Sequence, residues 1–377
     1  MAKRIEETIA RTFLELAEGL ETGSLGGRPR IALAGLGSEH GEDTVLAGAI
    51  QAVKAGIDVY YIGTQEHAGV TTVPAANADE CHRVMEDLLD RHAVDGAVTL
   101  HYPFPIGVST VGRAVTPGRG KEVFIATTTG TSSTQRVEGM VKNAIYGIIT
   151  AKACGIAEPT VGILNIDGAR HVEKALKDLA MGGYAIHFAE SSRSDGGCIM
   201  RGNDLLEGTA DVMVTDSLTG NILIKMLSAY TTGGNYESLG YGYGPGIGEG
   251  YDKLILIISR ASGSPLIAGA LQFAGELVQN HVFDVAAREF AAAKSAGLDQ
   301  LLAACNGDPK QEIGAAAVTE PPKEVVTAQI AGIEVLDLED AVQVLWKQGI
   351  YAESGMGCTG PIIRVSEANY AKSYDLL

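Results

Sequence analysis

From Arg30 onward the chain alternates short apolar runs with stretches of helical periodicity. IALAGLG (31–37), IDVYYIG (57–63) and GAVTL (96–100) are almost unbroken in hydrophobicity. Between them lie EDTVLAGAIQAVKAG (42–56) and NADECHRVMEDLLDRH (77–92), whose apolar residues fall on one helical face. Short apolar runs bounded by turn residues predict strands, and a 3.6-residue period predicts helices. The rhythm continues through VFIATTT (123–129), a helix near 134–154, TVGILN (160–165), a helix near 168–182, YAIHFAE (184–190) and ADVMVT (210–215). LILIIS (254–259), several helices up to about residue 348 and a final strand, PIIRV (361–365), complete it. Strands alternating with helices form a parallel sheet with crossover helices, and strands apolar at every position need helices on both faces. The predicted fold class is α/β, a doubly wound, mostly parallel sheet. The last strand is expected to return and pair with the N-terminal part of that sheet. TTGGNYESLGYGYGPGIGEGYDK (231–253), rich in glycine and tyrosine, is predicted to be a long mobile loop.

The first residues, MAKRIEETIARTFLELAEGL, place Lys3 and Arg4 before Glu6, Glu7, Glu15 and Glu18, so residues 1–29 predict an amphipathic helix rather than a signal peptide. Residues 30–377 follow as the α/β region. A 377-residue chain that is 46% hydrophobic can bury one large core or two moderate ones, and two lobes are expected, with weak boundaries at GRGKE (118–122) and CNGDPKQEIGAAAVTEPP (305–322). No repeat of fixed period is present. The net charge of -17 and pI near 4.9 argue against nucleic acid or an anionic membrane as the main partner, because both would be repelled. No apolar run reaches the roughly 18 residues of a membrane span. Cys81, Cys154, Cys198, Cys305 and Cys358 show no paired spacing, which fits free thiols in a reducing compartment and a cytoplasmic location.

The loop after the first strand, GLGSEHGED, does not complete a dinucleotide fingerprint. Gly35 and Gly37 are in place, but His40 fills the third position, and the second strand ends in Tyr60, Tyr61, Ile62 and Gly63 rather than in an acid. His40 is a possible cleft residue or a surface capping histidine. His82 and Glu86 share a helix face without a third ligand, and no metal site is assigned. More informative is ADVMVTDSLTGNILIKML, in which an apolar strand runs into Asp216, Ser217, Thr219, Gly220 and Asn221 and then into a helix carrying Lys225. Asp216, Thr219, Gly220, Asn221 and Lys225 could hold phosphate at a helix N-terminus; ordinary helix capping explains the same residues. Near the end, SGMGCTGPIIRV sets Cys358 among Gly355, Gly357 and Gly360. Backbone N–H groups at Gly357, Thr359 and Gly360 could lower the thiol's pKa and hold an oxyanion on an attached acyl group. A free cysteine is otherwise a small buried hydrophobe, the expectation for the other four.

VTDSLTGNILIK, with IALAGLGSEHGE, TVGILNID and the apolar strand after GMGCTGP, resembles the PlsX-type phosphate acyltransferase superfamily, relatives of phosphotransacetylase. The order of these blocks and the terminal GMGCTGPIIRVSEANY look more closely like the alpha subunits of component C of the glycine, sarcosine and betaine reductase complexes. The likeness runs from about residue 30 to the end and implies a two-lobed PlsX-like architecture. In that chemistry a carboxymethyl group on the selenocysteine of selenoprotein A becomes an acetyl thioester, which phosphate cleaves to acetyl phosphate. The resemblance implies Cys358 as the acyl-carrying thiol, phosphate as co-substrate near Thr219, Gly220, Asn221 and Lys225, no cofactor, and the component C beta subunit and selenoprotein A as partners. PlsX-type enzymes need no cysteine there. Two alternatives therefore remain open: an acyl phosphate enzyme acting on a carrier thioester with Cys358 structural, and a non-catalytic scaffold subunit.

Overall fold

The computed structural model describes residues 27–194, 196–305, 319–331, 333, 338–357 and 360–377, together with Phe13. The helix predicted within 1–29 therefore lies almost wholly outside the described residues. In chain order the elements are β1 (Arg30–Ala34), α1 (Glu42–Lys54), β2 (Asp58–Gly63), β3 (Thr71–Pro74), α2 (Ala78–Asp90), β4 (Gly96–Thr99), β5 (Val108–Val115) and β6 (Glu122–Thr131). Next come α3 (Arg136–Ala153), β7 (Thr160–Leu164), α4 (Ala169–Met181), β8 (His187–Phe188), β9 (Ile199–Met200), α5 (Gly202–Glu207), β10 (Val212–Val214) and α6 (Ser217–Ala229). They are followed by β11 (Gly244–Ile247), β12 (Ile255–Ile257), α7 (Ser264–Gln279), α8 (Val282–Ser295) and α9 (Leu298–Cys305). The last elements are β13 (Ala328–Ala331), α10 (Leu338–Lys347), β14 (Ala352–Gly357), β15 (Gly360–Val365) and α11 (Tyr370–Tyr374).

Twelve strands form one sheet in the order β3-β2-β1-β4-β12-β11-β5-β6-β10-β7-β8, with β9 also on β7. β3, β2, β1, β4 and β12 are mutually parallel, as are β6, β10, β7, β8 and β9. Between them β11 and β5 pair antiparallel to each other and to their outer neighbours, so the two parallel blocks run in opposite senses. Alternation along β1 shows how both faces are filled. Ile31 and Leu33 join the core under α1, α3, α4, α7 and α8, whereas Ala32 and Ala34 join the core under α2, α5 and α6. Burial on both faces explains the continuous hydrophobicity of these strands, and the predicted doubly wound class holds.

Two expectations are corrected. The glycine- and tyrosine-rich stretch contains β11, a buried strand in the middle of the sheet. Its glycines serve close packing: a Cβ on Gly244 would lie 1.7 Å from the Val111 carbonyl oxygen, and one on Gly246 would meet the Phe104 ring at 2.4 Å. The terminal strand does not return to the large sheet. β15 pairs antiparallel with β13 and β14 in a separate three-stranded sheet, which has its own small core of Ile330, Leu338, Val342, Leu345, Ile363 and neighbours.

Candidate functional site

The site begins with an irregularity in β6. Pairing with β5 runs from Val115↔Glu122 to Val111↔Ala126 and resumes at Thr110↔Thr129, leaving Thr127 and Thr128 as a bulge. A bulge breaks the ladder and re-aims side chains, so its polar groups need other partners. Thr127 Oγ1 donates to the Thr110 carbonyl at 2.5 Å, and Thr128 Oγ1 donates to the Tyr243 carbonyl at 2.7 Å. The N-terminus of α6 supplies the rest. Gly220 packs so tightly on Thr127 that a Cβ would fall 1.7 Å from its carbonyl oxygen, and Asn221 Nδ2 donates to the Thr128 carbonyl at 3.0 Å. Asp216 caps the helix: Oδ1 accepts from the Thr219 N–H at 2.8 Å, and Oδ2 accepts from Thr219 Oγ1 at 3.1 Å and Arg136 Nη2 at 2.7 Å. What Gly220 lets approach is thus the bulged strand, and the Thr219-Gly220-Asn221 turn acts as a clamp on it.

Two clefts flank this clamp. The first, about 250 Å³, lies between the end of β6 and the N-termini of α3 and α6, with Thr131, Ser132, Arg136, Asn143 and Thr219 in its wall. Ser132 donates to Asn143 Oδ1, and Asn143 Nδ2 donates to the Thr215 carbonyl at 2.9 Å. Thr131 Oγ1 and Arg136 Nε are buried with no protein hydrogen bond, but the charge of Arg136 is already matched by Asp216.

The second cleft, about 330 Å³, opens where the loops after β1, β4 and β12 meet α6. Its lining includes Glu39, His101, Asn221, Lys225, Ser259 and Arg260. Loops beyond the carboxyl ends of parallel strands are where open α/β sheets bind ligands. Among the described residues neither Lys225 nor Arg260 is held in an ion pair, and both are exposed to the cleft. His101 is half-buried; burial, then His82 and then Arg260 push its pKa below the ordinary histidine value. Bonded to the lining residue Tyr243, Glu237 is 4% exposed. Burial holds its carboxyl above the usual range against the 3.0 Å hydrogen bond that Tyr243 Oη donates to it.

The structure therefore brings Asn221 and Lys225 into one cleft and assigns Asp216, Thr219 and Gly220 to the clamp behind it. His40 is exposed, its ring edge-on to Tyr236 at 5.9 Å, and does not line either cleft. Cys358 and Thr359 lie outside the described residues; the strands on either side of them pair Gly357 with Gly360. Cys81 and Cys198 are buried and Cys154 is half-buried, and burial raises all three thiol pKa values, that of Cys198 to about 11. His82 Nε2 lies 3.2 Å from Thr99 Oγ1, and Glu86 accepts from Tyr102 Oη at 3.0 Å. Sequence reasoning missed Thr131, Ser132 and Arg136, His101, and Ser259 and Arg260. A usable signal was present, since polar residues directly after the apolar runs VFIATTT, GAVTL and LILII mark the carboxyl ends of strands.

This chain belongs to the fatty acid synthesis protein family, whose model matches residues 29–364. Within it, the chain is 59% identical over 375 residues, 99% of this chain and 97% of the other, to the glycine/sarcosine/betaine reductase complex component C subunit alpha of Peptoclostridium acidaminophilum. It is 27% identical over 253 residues, 56% of this chain and 74% of the other, to the phosphate acyltransferase of Lysinibacillus sphaericus (strain C3-41). Among solved structures, a branched-chain phosphotransacylase from Enterococcus faecalis V583 aligns with 66% of this chain and 99% of its own at a TM-score of 0.46 and 16% identity. The sequence relationships support an acyltransferase-type role. No described helix is long and apolar enough to cross a membrane.

Proposed function

We propose that the chain is the acyltransferase subunit of a glycine, sarcosine or betaine reductase system, which carries an acetyl thioester on Cys358 and passes the acetyl group to inorganic phosphate, yielding acetyl phosphate. Phosphate occupies the second cleft, and no cofactor takes part. The component C beta subunit and selenoprotein A, which the sequence resemblance implies, are the proposed partners; the relative that is 59% identical is named as a subunit of a reductase complex. The observation that carries the phosphate assignment is the presence of Lys225 and Arg260, two cations without ion-pair partners among the described residues, in one cleft of a chain with net charge -17. In a field that repels anions overall, a dianion binds where local cations and N–H or hydroxyl donors converge. Asn221 and Ser259 supply polar groups beside the two charges. Attack on a thioester carbonyl then needs the phosphate oxygen held against the carbonyl carbon and its negative charge partly neutralised.

The test is intact mass after incubation with acetyl phosphate, followed by peptide mapping. One acetyl group on the Cys358 peptide, removed by phosphate or arsenate, is the expected result. If Cys358→Ser keeps full phosphate-dependent transfer from a carrier thioester, Cys358 is structural; if the chain shows no phosphate-dependent chemistry with its partners present, it is a scaffold.

A further inference from the structure

We propose that His101 is the proton-transfer residue of the second cleft, taking the proton of the attacking phosphate and delivering it to the departing thiol sulfur. This rests on the phosphate-transfer function proposed above and assigns the step that function leaves without an agent. The placement comes from β4, whose carboxyl end puts His101 in the same cleft wall as Lys225 and Arg260. The Thr99 hydroxyl fixes the backbone there by donating to the His101 carbonyl at 3.2 Å. The same hydroxyl lies 3.2 Å from His82 Nε2, which ties the α2 histidine to this turn.

The titratable groups that share the cleft with His101 come from every element that lines it, and His82 packs behind it. His82 is on α2 with its ring centroid 6.4 Å away, Arg260 follows β12, Lys225 is on α6, Glu39 follows β1, and Tyr243 precedes β11. The nearest influences on the imidazole, burial, His82 and Arg260, all favour its neutral form. It therefore enters the reaction as a base. A phosphate dianion in the cleft offsets Arg260 and Lys225 and favours the imidazolium once the proton has moved.

The step balances without another reagent. As an oxygen of HPO4²⁻ forms the C–O bond to the acyl carbon, its P–OH proton passes to His101. When the C–S bond breaks and its electron pair leaves with sulfur, the imidazolium returns that proton to the thiolate. The products are acetyl phosphate and a neutral thiol, with His101 neutral again. In the reverse direction the same residue takes the thiol proton, so exchange of radiolabelled inorganic phosphate into acetyl phosphate reports both half-steps.

The experiment measures that exchange with the full-length chain, alone and with its partner subunit, for wild type, His101→Gln and the control His82→Gln. His101→Gln is expected to lower kcat by about 10²–10⁴-fold with little change in the KM for phosphate. It should also remove the acid limb of the pH–rate profile, leaving only the titration of phosphate itself, while His82→Gln keeps that limb. An effect on KM alone, or an acid limb in His101→Gln that still exceeds the titration of phosphate itself, overturns the proposal. A wild type without exchange would instead overturn the phosphate-transfer function beneath it. Should His101→Gln fold poorly, an NMR titration of the His101 Cε1–H in wild type decides: phosphate at saturation must raise its pKa, and an unchanged value refutes contact with phosphate.

Discussion

The two clefts beside the α6 N-terminus share a wall but treat charge in opposite ways. In the first, Arg136 is paired with Asp216 at 2.7 Å, and the other polar lining carries no charge, with Ser132 and Asn143 bonded to each other. In the second, Lys225 and Arg260 form no ion pair among the described residues, although Glu39 lines the same cleft and Lys225 acts electrostatically on buried Glu237, and half-buried His101 shares the lining. Opposite charges held within a few ångströms largely satisfy each other, so a cation already paired offers an incoming anion little. Polar composition alone would make the two clefts equivalent. Charge compensation separates them, which is why the proposed phosphate site is the second.

The largest expected effect comes from a change that damages both clefts at once. Gly220→Ala places a Cβ against the Thr127 carbonyl, a backbone atom that can move only if the bulge moves. Overpacking of this kind costs about 1–3 kcal/mol, and a backbone contact belongs at the upper end. A clearly lowered melting temperature together with loss of phosphate exchange is expected; a melt and exchange rate like those of wild type would refute the clamp.

Next in size are Lys225→Ala and Arg260→Ala. A hydrogen bond to a charged partner contributes about 1.5–3 kcal/mol, so each change should raise the KM for phosphate by about 10–100-fold, with the melting temperature close to wild type because both side chains are exposed. Arg136→Met is the counterpart in the first cleft and should move that KM by less than threefold, by about 0.6 kcal/mol or less. If Arg136→Met has the larger effect on phosphate, the assignment of the two clefts is reversed.

Much of the fold could be read in the chain because burial on both faces writes itself into the sequence: IALAG, VYYIG and VGIL carry no charged residue since helices cover both sides of β1, β2 and β7. β11 was hidden for a steric reason. A strand wedged against Val111 and Phe104 must be built of glycine, so GPGI carries the composition of a loop. β15 was recognised as a strand but not its partners, because an apolar run states that it needs a sheet and not which one. At the site, DSLTGN was legible as a helix N-terminus. The bulge it clamps was not, since the register of Thr127 and Thr128 depends on β5 and β6 together. His101 and Arg260 are brought near each other only by the adjacent placement of β4 and β12, strands far apart in the chain.

The smallest effect is also the sharpest test of charge compensation. Asp216→Asn keeps an oxygen that can accept from the Thr219 N–H, and asparagine caps helices about as well as aspartate, so the α6 N-terminus should persist. What is lost is the charge opposite Arg136, in an ion pair whose side chains are 34% and 19% exposed, and a partly solvated pair of this kind stabilises by about 1 kcal/mol or less. The melting temperature should therefore change little, whereas Asp216→Ala, which removes the cap as well, should cost about 1 kcal/mol more. The informative readout is anion binding. With Asp216 uncharged, Arg136 and the buried Thr131 hydroxyl become an open cation and donor in the first cleft. Equilibrium dialysis with radiolabelled phosphate should then detect a second, weaker site in Asp216→Asn that is absent from wild type, while the KM for phosphate in exchange stays the same. A second site already present in wild type would show that the Arg136–Asp216 pair does not close the first cleft to anions, and the distinction between the clefts would have to rest on His101 and shape rather than on charge.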